Sequence, residues 1–225
     1  MTQATVTDTR DAIISAAFAC FRNVGLHKTT IVDISRVADV SRSTFYEYFR
    51  DKETIVAACA EAASQRFYRK LAKAIDRDGG SSLEDKLVRA AVFVVEARQV
   101  VEPEVYFDHH EVNVMLTKNA ATLLAECSEF FAPYFSAARV TGEVRGALDI
   151  STATEWFARM LFSLFTTPSP FFDTRDSSAV AEFVRPFVVR GFADDRAVKS
   201  RRGVTLRDDA QRQSPTPPSR RKLSV

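Results

Sequence analysis

Apolar residues recur every three or four positions along most of the chain, and no segment shows the apolar–polar alternation of a strand. The first run covers residues 10–24, places Ile13, Ala17 and Phe21 on one side, and meets Gly25, a residue at which helices commonly stop. Seven Gly and eight Pro in 225 residues leave room for long helices. We therefore predict an all-α fold.

The spacing of stop signals divides the chain into three parts. We predict three short helices in a domain at 1–54, a larger helical domain at 55–195, and a tail at 196–225 that lacks apolar periodicity and should be disordered. The tail carries nine Lys/Arg against two Asp, so its net charge is +7 and residues 1–195 carry −5 of the total of +2. The basic residues of the tail therefore cannot be used to argue that the folded part binds nucleic acid.

Capping residues set the expected helix boundaries. A Thr30-x-x-Asp33 capping box opens a second helix that ends near Ala38, Ser41 opens a third through about Phe49, and Asp51 opens a fourth that ends at Gly79. A Ser81-Ser-Leu-Glu84 signal opens a fifth helix to about residue 99. Further helices are expected at 105–109, 112–138, 150–166 and 177–190, the last with Pro186 as a kink-forming residue.

Cysteine usage and hydropathy bear on the compartment. Three cysteines, Cys20, Cys59 and Cys127, lie at wide spacing inside apolar helical stretches, which argues against a disulfide framework. No apolar run approaches the roughly 18 residues that a membrane span requires, and the polar start is unlike a signal peptide. We expect a soluble cytoplasmic protein with reduced, buried thiols and no membrane partner.

Two short helices joined by a turn of three or four residues have the layout of a helix-turn-helix, whose second helix enters the DNA major groove. On a wheel of that second helix, Phe45 and Phe49 share a face that should pack on Ile34, Val37 and the first helix. The opposite face carries the groove-facing residues, and Tyr46 and Tyr48 lie on the borders, where a tyrosine can bury its ring and offer its hydroxyl to a phosphate.

These positions define a predicted DNA-binding set. Ser43, Thr44 and Glu47 should face the bases, and Glu47 could accept from a cytosine amino group or could simply be a solvated residue. Residues 1–54 balance seven Lys/Arg against seven Asp/Glu, so binding should depend on a few placed contacts and on dimerisation. The full set is Lys28, Thr30, Ser41, Arg42, Ser43, Thr44, Tyr46, Glu47, Tyr48 and Lys52.

The segment RDAIISAAFACFRNVGLHKTTIVDISRVADVSRSTFYEYFRDKETIVA, residues 10–57, resembles the DNA-binding domain of the TetR family of transcriptional regulators. It departs from the family pattern at Asp39, where the family usually has Gly in a turn that tends to need a left-handed backbone, and at Tyr48, where the family often has His. The resemblance implies a homodimer that binds a pseudo-palindromic operator in double-stranded DNA, and a C-terminal domain that holds a small-molecule effector.

Fourteen of the eighteen Phe lie beyond residue 60, so a pocket lined by aromatic residues and an apolar effector are expected, although Phe at helical spacing is also plain core. The resemblance also implies that the last two helices form the dimer interface. The candidate pocket residues are Phe67, Phe93, Tyr106, His109, Met115, Phe130, Trp156 and Met160. The candidate interface residues are Phe157, Leu161, Leu164, Phe183 and Phe187.

Other functional classes are less well supported. Asp108-His109-His110-Glu111 lacks a chelating spacing, and no Ser/His/Asp, P-loop or dinucleotide pattern occurs, so we expect no catalytic residue, metal or cofactor. The predicted function is a repressor that an apolar effector releases from its operator. The alternatives are an effector-independent DNA-binding or activating factor, and an enzyme or carrier that uses the apolar cavity with 108–111 as its polar group.

Overall fold

The computed structural model describes residues 3–77, 79, 82–104 and 119–192, and these ranges contain helices and no β-strand. This confirms the all-α prediction. The helices are α1 (Gln3–Val24), α2 (Ile31–Val37), α3 (Arg42–Tyr48), α4 (Lys52–Ile75), α5 (Leu83–Glu104), α6 (Ala120–Thr141), α7 (Ile150–Thr166) and α8 (Ser177–Phe192).

Capping side chains and a glycine set most of the boundaries of the first four helices. Thr30, Ser41 and Asp51 are the N-caps of α2, α3 and α4, as predicted. Helix α1 ends before Gly25, whose φ of +84° is a left-handed conformation that glycine adopts without steric cost. Its start differs from the expectation, because the helix extends N-terminally from residue 10 to Gln3.

The boundaries of the larger part differ in detail. The serine that caps α5 is Ser82, which accepts a hydrogen bond from the Asp85 amide at 3.2 Å and donates to its carboxylate at 2.8 Å. The expected Ser81–Glu84 cap is therefore displaced by one residue. Helix α5 continues past residue 99 to Glu104, and α8 continues across Pro186 to Phe192. The helix predicted at 105–109, the first residues of the one predicted at 112–138, and the tail at 196–225 lie outside the described residues. The described part of that long helix is α6, which runs to Thr141.

Two separate apolar cores hold the helices together. The first is formed by α1 to α3 and the start of α4, and the second by the end of α4 with α5 to α8. In the second core α6 packs on α7, and α8 packs on α5. Helix α4 contributes to both cores: Ile55 and Cys59 belong to the first, and Leu71 and Ile75 to the second.

The three cysteines are free, and their burial agrees with the prediction that they are core residues. Burial raises the pKa of Cys59 and of Cys127 to about 12 and also raises the pKa of Cys20. None of the helices in the described ranges is both long and apolar enough to cross a membrane.

Candidate nucleic-acid interface

Helix α2 is fixed by a reciprocal capping box at its N-terminus. The Thr30 hydroxyl accepts from the Asp33 amide at 3.2 Å, and the Asp33 carboxylate accepts from the Thr30 amide at 3.1 Å. The Thr30 hydroxyl also donates to that carboxylate at 2.6 Å, and these bonds lower the pKa of Asp33. Thr30 is exposed as a DNA contact requires, although its hydroxyl already serves the cap.

The turn between α2 and α3 contains the single non-glycine residue with a positive φ among the described residues, Asp39 at +54°. The left-handed backbone expected at this position is therefore present. The Val40 amide closes the turn by donating to the Ser35 carbonyl at 3.0 Å. This conformation changes the direction of the backbone between the end of α2 and the start of α3.

A cluster of three hydroxyl groups lies at the N-terminus of α3. Ser41 Oγ accepts from the Thr44 amide at 3.0 Å and lies 2.6 Å from Ser43 Oγ and 2.9 Å from Thr44 Oγ1. Ser41 and Ser43 are exposed, and Thr44 is half-buried. The leading end of the helix therefore presents groups that can both donate to and accept from base edges or phosphates.

The buried face of α3 matches the prediction for its phenylalanines. Phe45 and Phe49 are buried in the first core with Ile34, and the guanidinium of Arg10 lies 5.5 Å from the centre of the Phe49 ring. Val37, which we expected beneath them, is 52% exposed. That expectation is wrong, because the position falls on the solvent side of the short helix α2.

The opposite face of α3 is open to solvent. Arg42, Ser43, Tyr46 and Glu47 are exposed, and the Tyr46 ring makes an edge contact with Phe45 at 5.7 Å. Tyr48 is half-buried against the first core. The two tyrosines therefore lie at the borders of the helix, each with part of its ring in contact with protein.

The N-terminus of α4 completes the surface. Asp51 accepts from the side chain and the backbone of Thr54, and these hydrogen bonds lower its pKa to about 2. Lys52 donates from Nζ to the His27 carbonyl at 3.1 Å, which connects α4 to the loop that carries the exposed Lys28. The Lys52 ammonium thus positions this loop as well as offering positive charge.

Two exposed cations that the sequence analysis did not select lie on the same unit. Arg36 pairs with Asp33 at 3.1 Å, and Arg50 pairs with Asp51 at 2.8 Å. The residues of the first pair are three positions apart and those of the second are adjacent, so both pairs could have been predicted from the sequence. Because each of these two arginines is balanced by a neighbouring Asp, neither adds net positive charge to the surface.

Three of the candidate effector residues lie in one continuous set of aromatic contacts, which we call the aromatic chain: Phe93, Phe67, Tyr68 and Phe130. Successive ring centres lie 5.5, 5.4 and 5.0 Å apart, and the Tyr68 and Phe130 rings are stacked. The chain connects α5, α4 and α6. Tyr68 was not predicted as a candidate, although it lies three positions before the core residue Leu71, a spacing that places both on one side of α4.

The other candidate effector residues do not join this chain. Met160 is half-buried against the second core, and Trp156 is 45% exposed with its ring 5.4 Å from Phe192. Tyr106, His109 and Met115 lie outside the described residues. A shallow groove of about 790 Å³ lies between α6 and α7, lined by small and charged side chains together with Leu124 and Ile150, and none of the candidates lines it.

The candidate interface residues divide into two groups. Phe157, Leu161 and Leu164 are buried in the second core, because α7 turns this stripe toward α5 and α6, so they are not available to a partner. Phe183 and Phe187 are 42% and 56% exposed. Their rings are 5.7 Å apart and form an exposed aromatic row on α8, and the half-buried Phe172, which precedes this helix, lies 4.9 Å from Phe183.

Metal chelation finds no support in the described ranges, where no group of three or more His, Cys, Asp or Glu could hold an ion. The segment 108–111 lies outside them. The chemistry that the described surface offers is hydrogen bonding and charge from α3 and its two neighbouring helix starts.

Comparisons with known proteins agree with this arrangement. The family model described as bacterial regulatory proteins, tetR family, matches residues 13–59. The curated HTH-type transcriptional regulator HbdR of Aromatoleum sp. (strain CIB) is 45% identical over 51 residues, which are 23% of this chain and 22% of that regulator. The chain thus matches about a fifth of that relative's length.

Solved structures resemble the chain over most of its length. A TetR-family regulator from Pectobacterium atrosepticum has a TM-score of 0.61 at 20% identity, covering 86% of this chain and 98% of that one. A regulator from Cytophaga hutchinsonii has 0.59 at 17%, covering 82% and 98%. The regulator FadR from Bacillus subtilis, solved in complex with stearoyl-CoA, has 0.53 at 19%, covering 77% and 96%. Likeness at these identities shows a shared fold.

Proposed function

We propose that the chain, whose residues 13–59 match the tetR family of bacterial regulatory proteins, is a homodimeric repressor. Each subunit inserts α3 into the major groove at one half of a pseudo-palindromic operator. A small apolar effector, bound in the larger helical part, releases the protein from DNA. The observation that carries the proposal is the division of α3 into a buried phenylalanine face and an exposed face of Arg42, Ser43, Tyr46 and Glu47.

The roles of these residues follow from their chemistry. Arg42 and the Tyr46 hydroxyl suit phosphate oxygens, which fix the register of the helix on the duplex. Glu47 can only accept hydrogen bonds when ionised, and the cytosine amino group is the donor that an acidic residue meets in the major groove. Ser43 and Thr44 can serve either partner. Because the surface around α3 carries little positive charge, affinity for DNA should come from a few specific contacts, each made once by each of the two subunits.

Dimerisation is proposed through the exposed aromatic row on α8. Phe183 and Phe187 are large apolar side chains in solvent, and a second copy related by a two-fold axis would cover both rows at once. The buried Phe157, Leu161 and Leu164 belong to the second core, where α7 packs on α5 and α6. They are not proposed as contacts with the partner.

The effector is proposed to contact the aromatic chain. Phe67, Tyr68, Phe93 and Phe130 are incompletely buried at the meeting point of α4, α5 and α6, so they offer apolar surface to a ligand. The similar Bacillus subtilis regulator holds stearoyl-CoA. A long apolar acyl group is therefore the first effector class to test.

The experiment is a fluorescence-anisotropy titration of labelled DNA from the region flanking the gene, with a scrambled duplex as competitor. Arg42→Ala should weaken binding and lower the slope of log affinity against log salt by about 1, whereas Arg69→Ala, which removes an exposed arginine from α4, should do neither. Tyr46→Phe should weaken binding and leave the slope unchanged, because it removes a hydrogen bond to a phosphate and no charge. Glu47→Ala should change base preference by about 1–3 kcal/mol at one position. Wild-type affinity in Arg42→Ala and Tyr46→Phe would refute the assigned contacts.

The effector half of the proposal is tested separately. Stearoyl-CoA added to the protein–DNA complex should release the DNA and raise the melting temperature of the free protein. Native mass spectrometry of the purified protein should find a bound apolar compound. If no acyl-CoA or fatty acid shifts the melting temperature and no apolar compound is bound, the apolar effector loses its support and an effector-independent DNA-binding factor becomes the favoured function.

A further inference from the structure

A carboxylate lies one helical turn from the stacked rings of the aromatic chain. Ser64 of α4 donates to Glu126 of α6 at 3.0 Å. One turn further along the same two helices, Tyr68 of α4 stacks on Phe130 of α6, with ring centres 5.0 Å apart. Residues four positions apart lie on one side of a helix, so these side chains are neighbours between α4 and α6. We call Ser64, Tyr68, Glu126 and Phe130 the Glu126 site.

Glu126 supplies the negative charge of this site. Its carboxylate accepts from Ser64 on one oxygen, and no cation of the described ranges forms an ion pair with it. Burial raises the pKa of Tyr68, and the nearby charge of Glu126 raises it further. Burial also raises the pKa of the adjacent Cys127 to about 12, so neither the phenol nor the thiol ionises near neutral pH. The charge of Glu126 is therefore uncompensated within the described part of the chain.

A contact that only joined α4 to α6 would not need this charge. A glutamine could accept from the Ser64 hydroxyl equally well and would cost less to remove from water. Glu126 is half-buried, and its second oxygen accepts no hydrogen bond from a described residue. A half-buried carboxylate with spare acceptor capacity suits a ligand group that donates hydrogen bonds and carries positive charge.

The rings beside Glu126 favour the same kind of ligand. Tyr68 and Phe130 are both half-buried and offer apolar surface to a hydrocarbon chain. The face of an aromatic ring also attracts a cation within about 6 Å of its centre. A ligand carboxylate at the same point would instead meet the like charge of Glu126 and be repelled.

We propose that the Glu126 site binds the polar end of the effector, and that this end is a protonated amine or a similar cationic donor attached to an apolar body. This rests on the proposed function, since it names the chemistry of the ligand that the aromatic chain receives. The ammonium group donates to Glu126, and the hydrocarbon lies along Tyr68 and Phe130. A free fatty acid binds poorly in this orientation, because its carboxylate lies beside Glu126.

Three probes of equal chain length test the polar end: decylamine, decanol and decanoate, each titrated by calorimetry into the full chain below its micellar concentration. At pH 7 the amine is protonated and the acid is ionised. We expect the wild-type protein to bind decylamine about 10- to 100-fold more tightly than decanoate, the effect of a hydrogen bond to a charged group, with decanol between them. This ranking needs no variant, so it decides the question even if a variant does not fold.

Glu126→Gln removes the charge and keeps an acceptor for Ser64. It should weaken the amine and strengthen the acid until their affinities lie within about 3-fold of each other. Glu129→Gln is the matched control, because it removes the same charge from an exposed position of α6 that lines the groove toward α7. The control should keep the wild-type ranking, and melting curves establish that both variants fold.

Equal binding of decylamine and decanoate by the wild-type protein, or an unchanged preference in Glu126→Gln, would overturn the inference and leave the apolar effector standing. An equal loss of preference in Glu129→Gln would also overturn it, because the overall charge of the protein would then select the amine. If none of the three probes binds, the effector part of the proposed function fails, and the inference fails with it.

Discussion

Replacing Asp39 with glycine should stabilise the turn between α2 and α3. Asp39 holds a φ of +54°, a conformation in which the Cβ of an L-residue crowds the backbone. The side chain is exposed, so the substitution removes little packing. The effect should therefore come almost entirely from the backbone.

The magnitude follows from two opposing effects. Left-handed backbone costs an L-residue about 1–2 kcal/mol, somewhat less for Asp, and glycine removes that cost. Glycine in turn loses about 0.5–1 kcal/mol more conformational entropy on folding. Asp39→Gly should thus gain about 0.5–1 kcal/mol, whereas Asp39→Ala, which keeps a Cβ without the polar group that eases the conformation, should lose a similar amount.

Native-state hydrogen exchange on the full chain measures this directly. The reporters are the amides of Val40, which donates to Ser35, and of Phe45, which donates to Ser41. Their protection should rise about 2- to 5-fold in Asp39→Gly and fall by a similar factor in Asp39→Ala, the factors that correspond to the free energies above. Lower protection in Asp39→Gly than in Asp39→Ala would refute the argument from backbone strain.

Three further outcomes are expected. The pKa of Asp51 is lowered from 3.8 to about 2, so its contribution to stability is present above pH 4 and is lost as the pH falls toward 2. Asp51→Asn keeps the capping oxygen but does not titrate, so its melting temperature should decline less steeply than that of the wild type between pH 4 and pH 2. Equal slopes would contradict this. The buried thiols of Cys59 and Cys127, whose pKa is raised to about 12, should react with a thiol reagent at pH 8 only after unfolding, and rapid labelling of the native protein would show that they are accessible. Phe183→Ser combined with Phe187→Ser should convert a dimer to monomers in sedimentation at equal protein concentration, and a dimer that survives both changes would exclude this interface.

Local chemistry made much of the DNA-binding unit predictable. The caps at Thr30, Ser41 and Asp51 depend on side-chain oxygens that reach amides three residues away, and the left-handed Asp39 depends on the turn itself. The buried Phe45 and Phe49 follow from helical periodicity on a wheel. Such features need no knowledge of distant residues.

The larger part was less predictable because its geometry depends on packing between helices. Periodicity placed Phe157 on the apolar side of α7, but it could not predict whether that side would pack on α5 and α6 or on a second subunit. Tyr134 and Asp76 are 58 positions apart, so their hydrogen bond leaves no local pattern. The cap at Ser82 instead of Ser81 shows that even a local signal is ambiguous when two serines adjoin.

Hydroxyl-radical footprinting of the DNA flanking the gene tests whether a dimer binds two half-sites. We predict two protected patches on one face of the duplex, separated by about one helical turn or a multiple of it, as a two-fold dimer of helix-turn-helix units requires. Both patches should be lost together in Arg42→Ala at moderate salt. Uniform protection without a repeat, or an unchanged footprint in that variant, would contradict the account.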